Sequence, residues 1–331
     1  LPDSFAQDKH FTQFYASPLY LNPALTGAME GKYRVSAIYR DQWRQVLDNP
    51  IRTFSVAGDL RFKAPGKRVK DDAVGLGLMF FNDKVNVVDF STTQISVSMA
   101  YHKALGKGSS QYLTLGIQGG LTQRNVNYGS LNFHDEFDGI SGYNFGTDEV
   151  LPENNFSFSD LSVGLNYTAE VGRSGRVFAG VSMHHVGQPK ISFYGNGEEG
   201  DKLYRKYSAQ IAANIPLTRD NKVSLLPRFL IASQGPHMEI NTGTNFRVAM
   251  GQFGSTALHF GSWVRPVRND DAMGLDAVVA LFGVEFSNVL VGVSYDLNLG
   301  ALQAKQRQGA FEISVAYLGD YENEEILCPK F

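Results

Sequence analysis

The chain has 331 residues and a formal net charge of −3, from 30 Lys+Arg against 33 Asp+Glu, and it is rich in Gly (34), Phe (23) and Tyr (15). So balanced a charge supplies no basic field for a polyanion, which excludes nucleic acid as a partner class. Mean hydropathy is slightly negative and no run of about eighteen apolar residues occurs, so helical membrane spans are excluded; a membrane β-barrel is not, because its lipid-facing and lumen-facing residues alternate and average out as polar.

Residues 1–6 (LPDSFA) end in a small residue at Ala6 with Ser4 two before it, the pattern of a secretory signal tail, which predicts export. A leader over 7–32 follows. Its stretch His10–Gly27, HFTQFYASPLYLNPALTG, fits neither a strand nor a helix. Pro18 and Pro23 lack a backbone donor and push the residues before them out of helical geometry, so Ser17 and Asn22 are expected to be extended or in turns. Such a run is a docking arm or a plug. It is expected on the periplasmic or lumenal side and ordered, with Tyr15, Pro18, Tyr20 and Pro23 packed against the rest of the chain.

From residue 33 to 319 the sequence repeats one device. Apolar residues alternate with period two between clusters of Gly, Asn, Asp, Ser and Pro, which predicts fourteen strands: 33–40, 51–62, 73–82, 90–102, 111–125, 159–171, 176–187, 203–215, 222–233, 238–249, 255–265, 273–285, 288–298 and 309–319. The pattern is cleanest late, where Val289, Val291, Val293, Tyr295 and Leu297 oppose Gly292, Ser294, Asp296 and Asn298. Alternation alone also fits a soluble sandwich. Three features favour an all-β, 14-stranded antiparallel transmembrane barrel. The strands are long, where tilted membrane strands need about nine to eleven residues. The second face is small and polar, as a lumen requires. Connections alternate in length, with 41–50, 83–89, 126–158, 188–202 and 299–308 on one side and 172–175, 218–221, 250–254 and 286–287 on the other; long outside and short inside is the outer-membrane pattern. The short outer connection 234–237 and the long basic inner one 63–72 fit poorly. A tail over 320–331 carries four acids and the single cysteine, Cys328, which has no disulfide or zinc partner.

No catalytic, cofactor or metal constellation is evident: there is no GxSxG elbow, no HExxH and no phosphate loop. His184 and His185, being consecutive on a strand, are expected to point to opposite faces, with His185 near the rim. The acidic loop 134–139 misses the calcium-loop spacing, and its carboxylates read as solvated or, at most, as calcium ligands. At 33 residues, 126–158 is too long for a bare connector. Its aromatics predict packing over the mouth or against another protein. Trp43 and Trp263, at strand ends, read as interface anchors at headgroup depth.

The leader then becomes diagnostic. Residues 7–15 (QDKHFTQFY), 17–27 (SPLYLNPALTG) and 35–43 (VSAIYRDQW) closely resemble the opening of the PorP/SprF family, outer-membrane proteins of the type IX secretion system and gliding machinery of Bacteroidota. The resemblance implies a non-enzymatic outer-membrane barrel, without cofactors, that helps export or anchor a large secreted surface adhesin through the adhesin's C-terminal domain, alongside other secretion or periplasmic ring components. Partner contact is expected at Phe14, Tyr15, Pro18, Tyr20, Asn22 and Pro23 of the leader and at Phe133, Phe137, Tyr143 and Phe145 of the long loop. The rival expectation is an outer-membrane channel or hydrophobic-substrate transporter whose leader is a hatch. An outer-membrane hydrolase would need a lipid-facing Ser–His pair, which the sequence does not offer.

Overall fold

The computed structural model describes residues 8–29, 31–44, 50–64, 71–86, 89–105, 110–140, 142–143, 145–172, 174–193, 202–250, 256–269, 272–299 and 309–319. The expected signal remnant 1–6, the tail 320–331 with Cys328 and nearly all of 299–308 lie outside these residues.

Alternation of apolar and small polar residues produces fourteen strands: β1 (Tyr33–Gln42), β2 (Ile51–Lys63), β3 (Ala73–Val85), β4 (Phe90–Leu105), β5 (Gln111–Val126), β6 (Asn155–Val171), β7 (Gly175–His184), β8 (Lys206–Pro216), β9 (Val223–Gln234), β10 (His237–Met250), β11 (Thr256–Asn269), β12 (Ala272–Phe286), β13 (Val289–Asn298) and β14 (Gly309–Gly319). Each pairs antiparallel with the next, and β1 pairs with β14, so the sheet closes and leaves no edge. Closure matters in a bilayer, where an unpaired backbone group finds no water to bond.

Strand ends differ from the sequence expectation where one residue changes the backbone. β11 runs past Arg265 instead of stopping there, because a register shift between Arg265 and Pro266 absorbs the proline at a bulge. The outer connection between β11 and β12 is therefore as short as the two-residue turn Gly235–Pro236, and with the four-residue connection 86–89 between β3 and β4 the long-outside rule has three exceptions on that rim. β6 starts earlier than expected, so Phe156 and Phe158 are strand residues. β7 stops at His184 because His185 takes φ +56, which ends an extended run.

The two faces are chemically inverted relative to a soluble protein. Outward positions are apolar and open, as at Leu115 (65% exposed), Val97 (60%) and Leu78 (56%), and form the lipid-facing band. Inward positions are buried and mostly polar, among them Ser36, Thr53, Ser98, Asn166 and Gln210. The lumen face is not merely small and polar: it also buries Arg40, Asp59, Asp83, Arg228, Arg265, Glu285, Asp296 and Glu312. Charge at that depth is tolerated only with a partner. The leader supplies part of that pairing, and with the inner wall it forms the core of the molecule.

Candidate functional site

The leader threads the lumen from the rim with the long connections to the rim with the short turns. Asp8 lies at the first rim, where its amide donates to Gln234 at 2.8 Å and its carboxylate meets His185 at 2.8 Å and Lys206 at 3.6 Å. Lys9 pairs with Asp83 at 3.3 Å and His10 contacts Glu239 at 3.2 Å. At the far end Lys32 donates to the carbonyl of Gly319 at 2.9 Å, and β1 begins.

Between these ends the prolines and aromatics set the path. Three short helical turns, Phe14–Ala16, Pro18–Leu21 and Pro23–Leu25, are separated by Ser17 (φ −123, ψ 71) and by Asn22 (φ −158, ψ 122), which is extended as expected. Turns of three or four residues leave backbone amides without internal partners, and the wall answers them. The Thr12 and Gln13 amides donate to the two oxygens of Glu312 at 2.7 and 2.9 Å. The Thr12 hydroxyl donates to Asp296 at 2.7 Å and accepts from Arg40 and Arg265 at 2.9 and 2.8 Å. Arg40 bridges Glu312 and Asp296, while Arg265 bridges Asp296 and Asp276. Near the short-turn rim the Gly27 amide donates to Asp59 at 2.6 Å, and Arg34 joins Asp59 to the carbonyl of Leu25. The leader is thus clamped by ionic clusters above and below.

Aromatic contacts fill the space between. Tyr20 stacks on Phe81 with centroids 5.1 Å apart, and Phe11 packs edge-on against both. Tyr15 lies 3.8 Å under the Arg228 guanidinium and 5.8 Å from Trp263, which also receives Phe14. Burial, reinforced by Arg265 and Arg40, holds His10 well below its ordinary value; its contact with Glu239 is a hydrogen bond from an uncharged ring. Burial alone would raise Asp8, but His185 and Lys206 outweigh it and hold the carboxyl well below the carboxylate range.

On the wall, glycines make room. A Cβ on Gly116 would strike the backbone of Pro23 and Ala24, one on Gly164 would strike the Asn22 amide, and one on Gly75 would strike the carbonyl of Thr26. Asn22 in turn donates to the carbonyls of Leu165 and Val181 at 3.3 and 3.2 Å. Beside the leader one cavity of about 50 Å³ lies between Gln13, Tyr15, Arg34, Arg228 and His259, room for one or two waters.

Several sequence expectations change here. Trp263 is not an interface anchor: at 2% exposure it faces the lumen, because its position on β11 has inward parity and the leader brings Phe14 and Tyr15 against it. His184 and His185 do not point to opposite faces. The left-handed turn at His185 folds its ring inward, 6.4 Å from that of His184, and both are buried. His184 bonds Ser182 and Ser162, whereas His185 joins Asp160 to Asp8. Trp43 is half-buried, with φ +64 just after β1. Phe14, Pro18, Asn22 and Pro23 are buried and Tyr15 and Tyr20 half-buried, so these six leader residues pack against the chain's own barrel. The ionic clamps were missed, although charges at inward-parity positions of membrane strands were the available signal.

The long connection 127–154 is built differently. Asp135 accepts from the Asp148 amide at 2.7 Å and from the Thr147 hydroxyl, Asp138 accepts from the amides of Ile140 and Gly142, and Glu136 accepts from that of Phe133. The acidic residues of 134–139 thus tie the loop to itself. Phe137 and Tyr143 pair across a β-bridge with rings 5.4 Å apart. Phe133 is half-buried, but Phe137 (47%), Tyr143 (53%) and Phe145 (62%) stay exposed.

Solved structures share the architecture. The deltaS2 mutant of the TodX monoaromatic hydrocarbon channel aligns over 93% of this chain and 94% of its own at 11% identity (TM-score 0.59). The Pseudomonas putida toluene transporter TodX aligns over 96% and 99% at 12% identity (TM-score 0.53), and the CymD monoaromatic hydrocarbon channel over 93% and 94% at 9% identity (TM-score 0.50). At such identities the likeness is one of fold. No curated protein sequence matches the chain. The family model of the type IX secretion system membrane protein PorP/SprF matches residues 3–317, and the chain belongs to that family.

Proposed function

We propose that this protein is a non-enzymatic outer-membrane barrel of the type IX secretion and gliding apparatus that helps export or anchor a secreted surface adhesin by docking the adhesin's C-terminal domain at the rim with the long connections. That rim is the extracellular one in this reading. The observation that carries it is the leader: with its own residues 8–29 clamped through the lumen, the barrel offers a partner its rim rather than its bore. The exposed aromatics Phe137, Tyr143 and Phe145 are the contact surface, since large apolar groups held open on an ordered loop favour protein association.

The rival reading, a channel for hydrophobic solutes, draws on the shared fold with TodX and CymD and needs the leader to act as a hatch. A pull-down in mild detergent, with mass spectrometry, separates the two. Docking predicts a secreted surface protein that co-purifies with the full barrel and is lost when 131–150 is replaced by a short turn, together with no ion conductance in planar bilayers. Recovery of the barrel alone, with conductance, overturns docking.

A further inference from the structure

One recess lies on the outside of the barrel, at the upper edge of the apolar band. It measures about 480 Å³ and its lining includes Asn82, Lys84, Asp89, Ser91, Asn125 and Asn127. Strand parity fixes where it opens. Asn82 and Lys84 share the outward face of β3 with Leu78 (56% exposed), Ser91 that of β4 with Ile95 (53%), and Asn125 that of β5 with Leu121 (67%). The recess therefore faces the membrane boundary, directly above residues that contact acyl chains.

Within the lining the Lys84 cation faces the Asp89 carboxylate, and a second cation stands beside the recess. Arg52, exposed on the outward face of β2, stands directly opposite Lys84 in the ladder. Like charges so placed repel, and the pair is tolerated best with an anion between them. Lys84 has Asp89 at 2.9 Å. Among the described residues Arg52 has no ionic partner; its other cross-strand neighbour, Asp41, pairs with Arg44 at 2.6 Å. Around this ion pair, Asn127 donates to the Asp89 carboxylate at 2.8 Å and Asn82 to Thr93 at 2.9 Å, fixing amide groups that both donate and accept.

We propose that this recess seats the phosphorylated sugar headgroup of a glycolipid in the outer leaflet. Arg52 and Lys84 hold the phosphate, for which a guanidinium offers paired donors, and the side-chain amides of Asn82, Asn125 and Asn127 meet the sugar hydroxyls. The acyl chains then lie along Leu78, Ile95 and Leu121. Only the choice of leaflet rests on the orientation given above; no protein partner enters, so failure of the docking reading leaves this site untouched.

The test is native mass spectrometry of the full chain in detergent micelles, with lipid A as the probe, a phosphorylated and acylated glucosamine disaccharide. One lipid per barrel is expected. Arg52→Glu with Lys84→Glu should weaken it at least tenfold, as should removing the phosphates from the probe, whereas Lys222→Glu at the short-turn rim should leave it unchanged. Because both substitutions are on the outer surface, heat-modifiable gel migration should show the variant barrel folded. Asn82→Ala with Asn125→Ala should lower affinity for lipid A while leaving the weak binding of phosphatidylglycerol as it was. Equal binding by the double charge variant, or equal affinity for lipid A and phosphatidylglycerol, overturns the proposal.

Discussion

The lumenal leader and the long loop 127–154 are both rich in aromatic residues, yet the barrel uses them in opposite ways. In the leader, Phe11, Phe14 and Leu19 are buried, and the stretch is fixed by carboxylates and guanidinium groups that belong to the wall. In the loop, the carboxylates bind the loop's own amides, and Phe137, Tyr143 and Phe145 remain open. Composition alone therefore does not decide which aromatic run is core and which stays exposed. The origin of the charges that satisfy each backbone does.

The sharpest way to break the contrast is to remove the upper clamp. Glu312→Ala deletes the acceptor of two leader amides and strands Arg40 beside Asp296 alone. Breaking a buried ion pair costs about 3–5 kcal/mol. The urea midpoint in micelles should fall accordingly, and hydrogen exchange should rise over residues 10–16 while 127–154 is unchanged. Unaltered protection in the leader would mean that the clamp does not hold it.

A smaller effect is expected from the cradle. Gly116→Val drives a side chain into the backbone of Pro23 and Ala24, and overpacking of this kind costs about 1–3 kcal/mol. Deleting residues 8–27 should abolish that penalty, because the glycine is needed only where the leader passes. A penalty that survives the deletion would place its cause in the wall.

The barrel itself was largely legible. Strict period-two alternation marks strands such as β13 and β14 because lipid and lumen impose opposite demands on successive residues. What escaped were places where one residue overrides the period: Pro266, absorbed by a bulge, and His185, whose positive φ turns it inward. The position of Trp263 escaped for another reason. Its facing inward follows strand parity, but its packing against Phe14 depends on a segment some 250 residues away in sequence, and no local pattern encodes such a contact. The order of Tyr15, Pro18, Tyr20 and Pro23 was readable from the leader's composition, whereas its entry from the rim with the long connections was not, since that depends on the pairing of Asp8 with His185 and Lys206.

That pairing makes one end of the leader sensitive to pH. Burial would lower His185, but Asp8 and Asp160 raise it to about 9, so the stability it contributes is complete below about pH 6.5 and is lost as pH rises through 9. Asp8 is depressed, so its contribution is present above the usual carboxylate range and is lost only in strong acid. The clasp therefore holds from mildly acidic to neutral pH. Trypsin should cleave after Lys9 faster at pH 9.5 than at pH 7.5, relative to a free peptide. His185→Asn should remove the difference.

The smallest expected change in stability is at the loop. Phe137 and Phe145 are 47% and 62% exposed and take no part in the lumen core, so Phe137→Ser with Phe145→Ser should stay within about 0.5 kcal/mol per site in urea unfolding. Their effect on association should be the larger one, because truncating aromatic anchors at the centre of an interface commonly costs about 2 kcal/mol or more each. If the proposed docking holds, retention of a secreted partner by the purified barrel should therefore fall at least tenfold while the leader keeps its hydrogen-exchange protection. Tyr15→Leu should do the reverse, losing the contact with Arg228 and loosening the leader while partner retention persists. If instead the leader substitution releases the partner and the loop substitutions do not, the docking surface lies in the bore, and the leader's present place there is the state from which a partner displaces it.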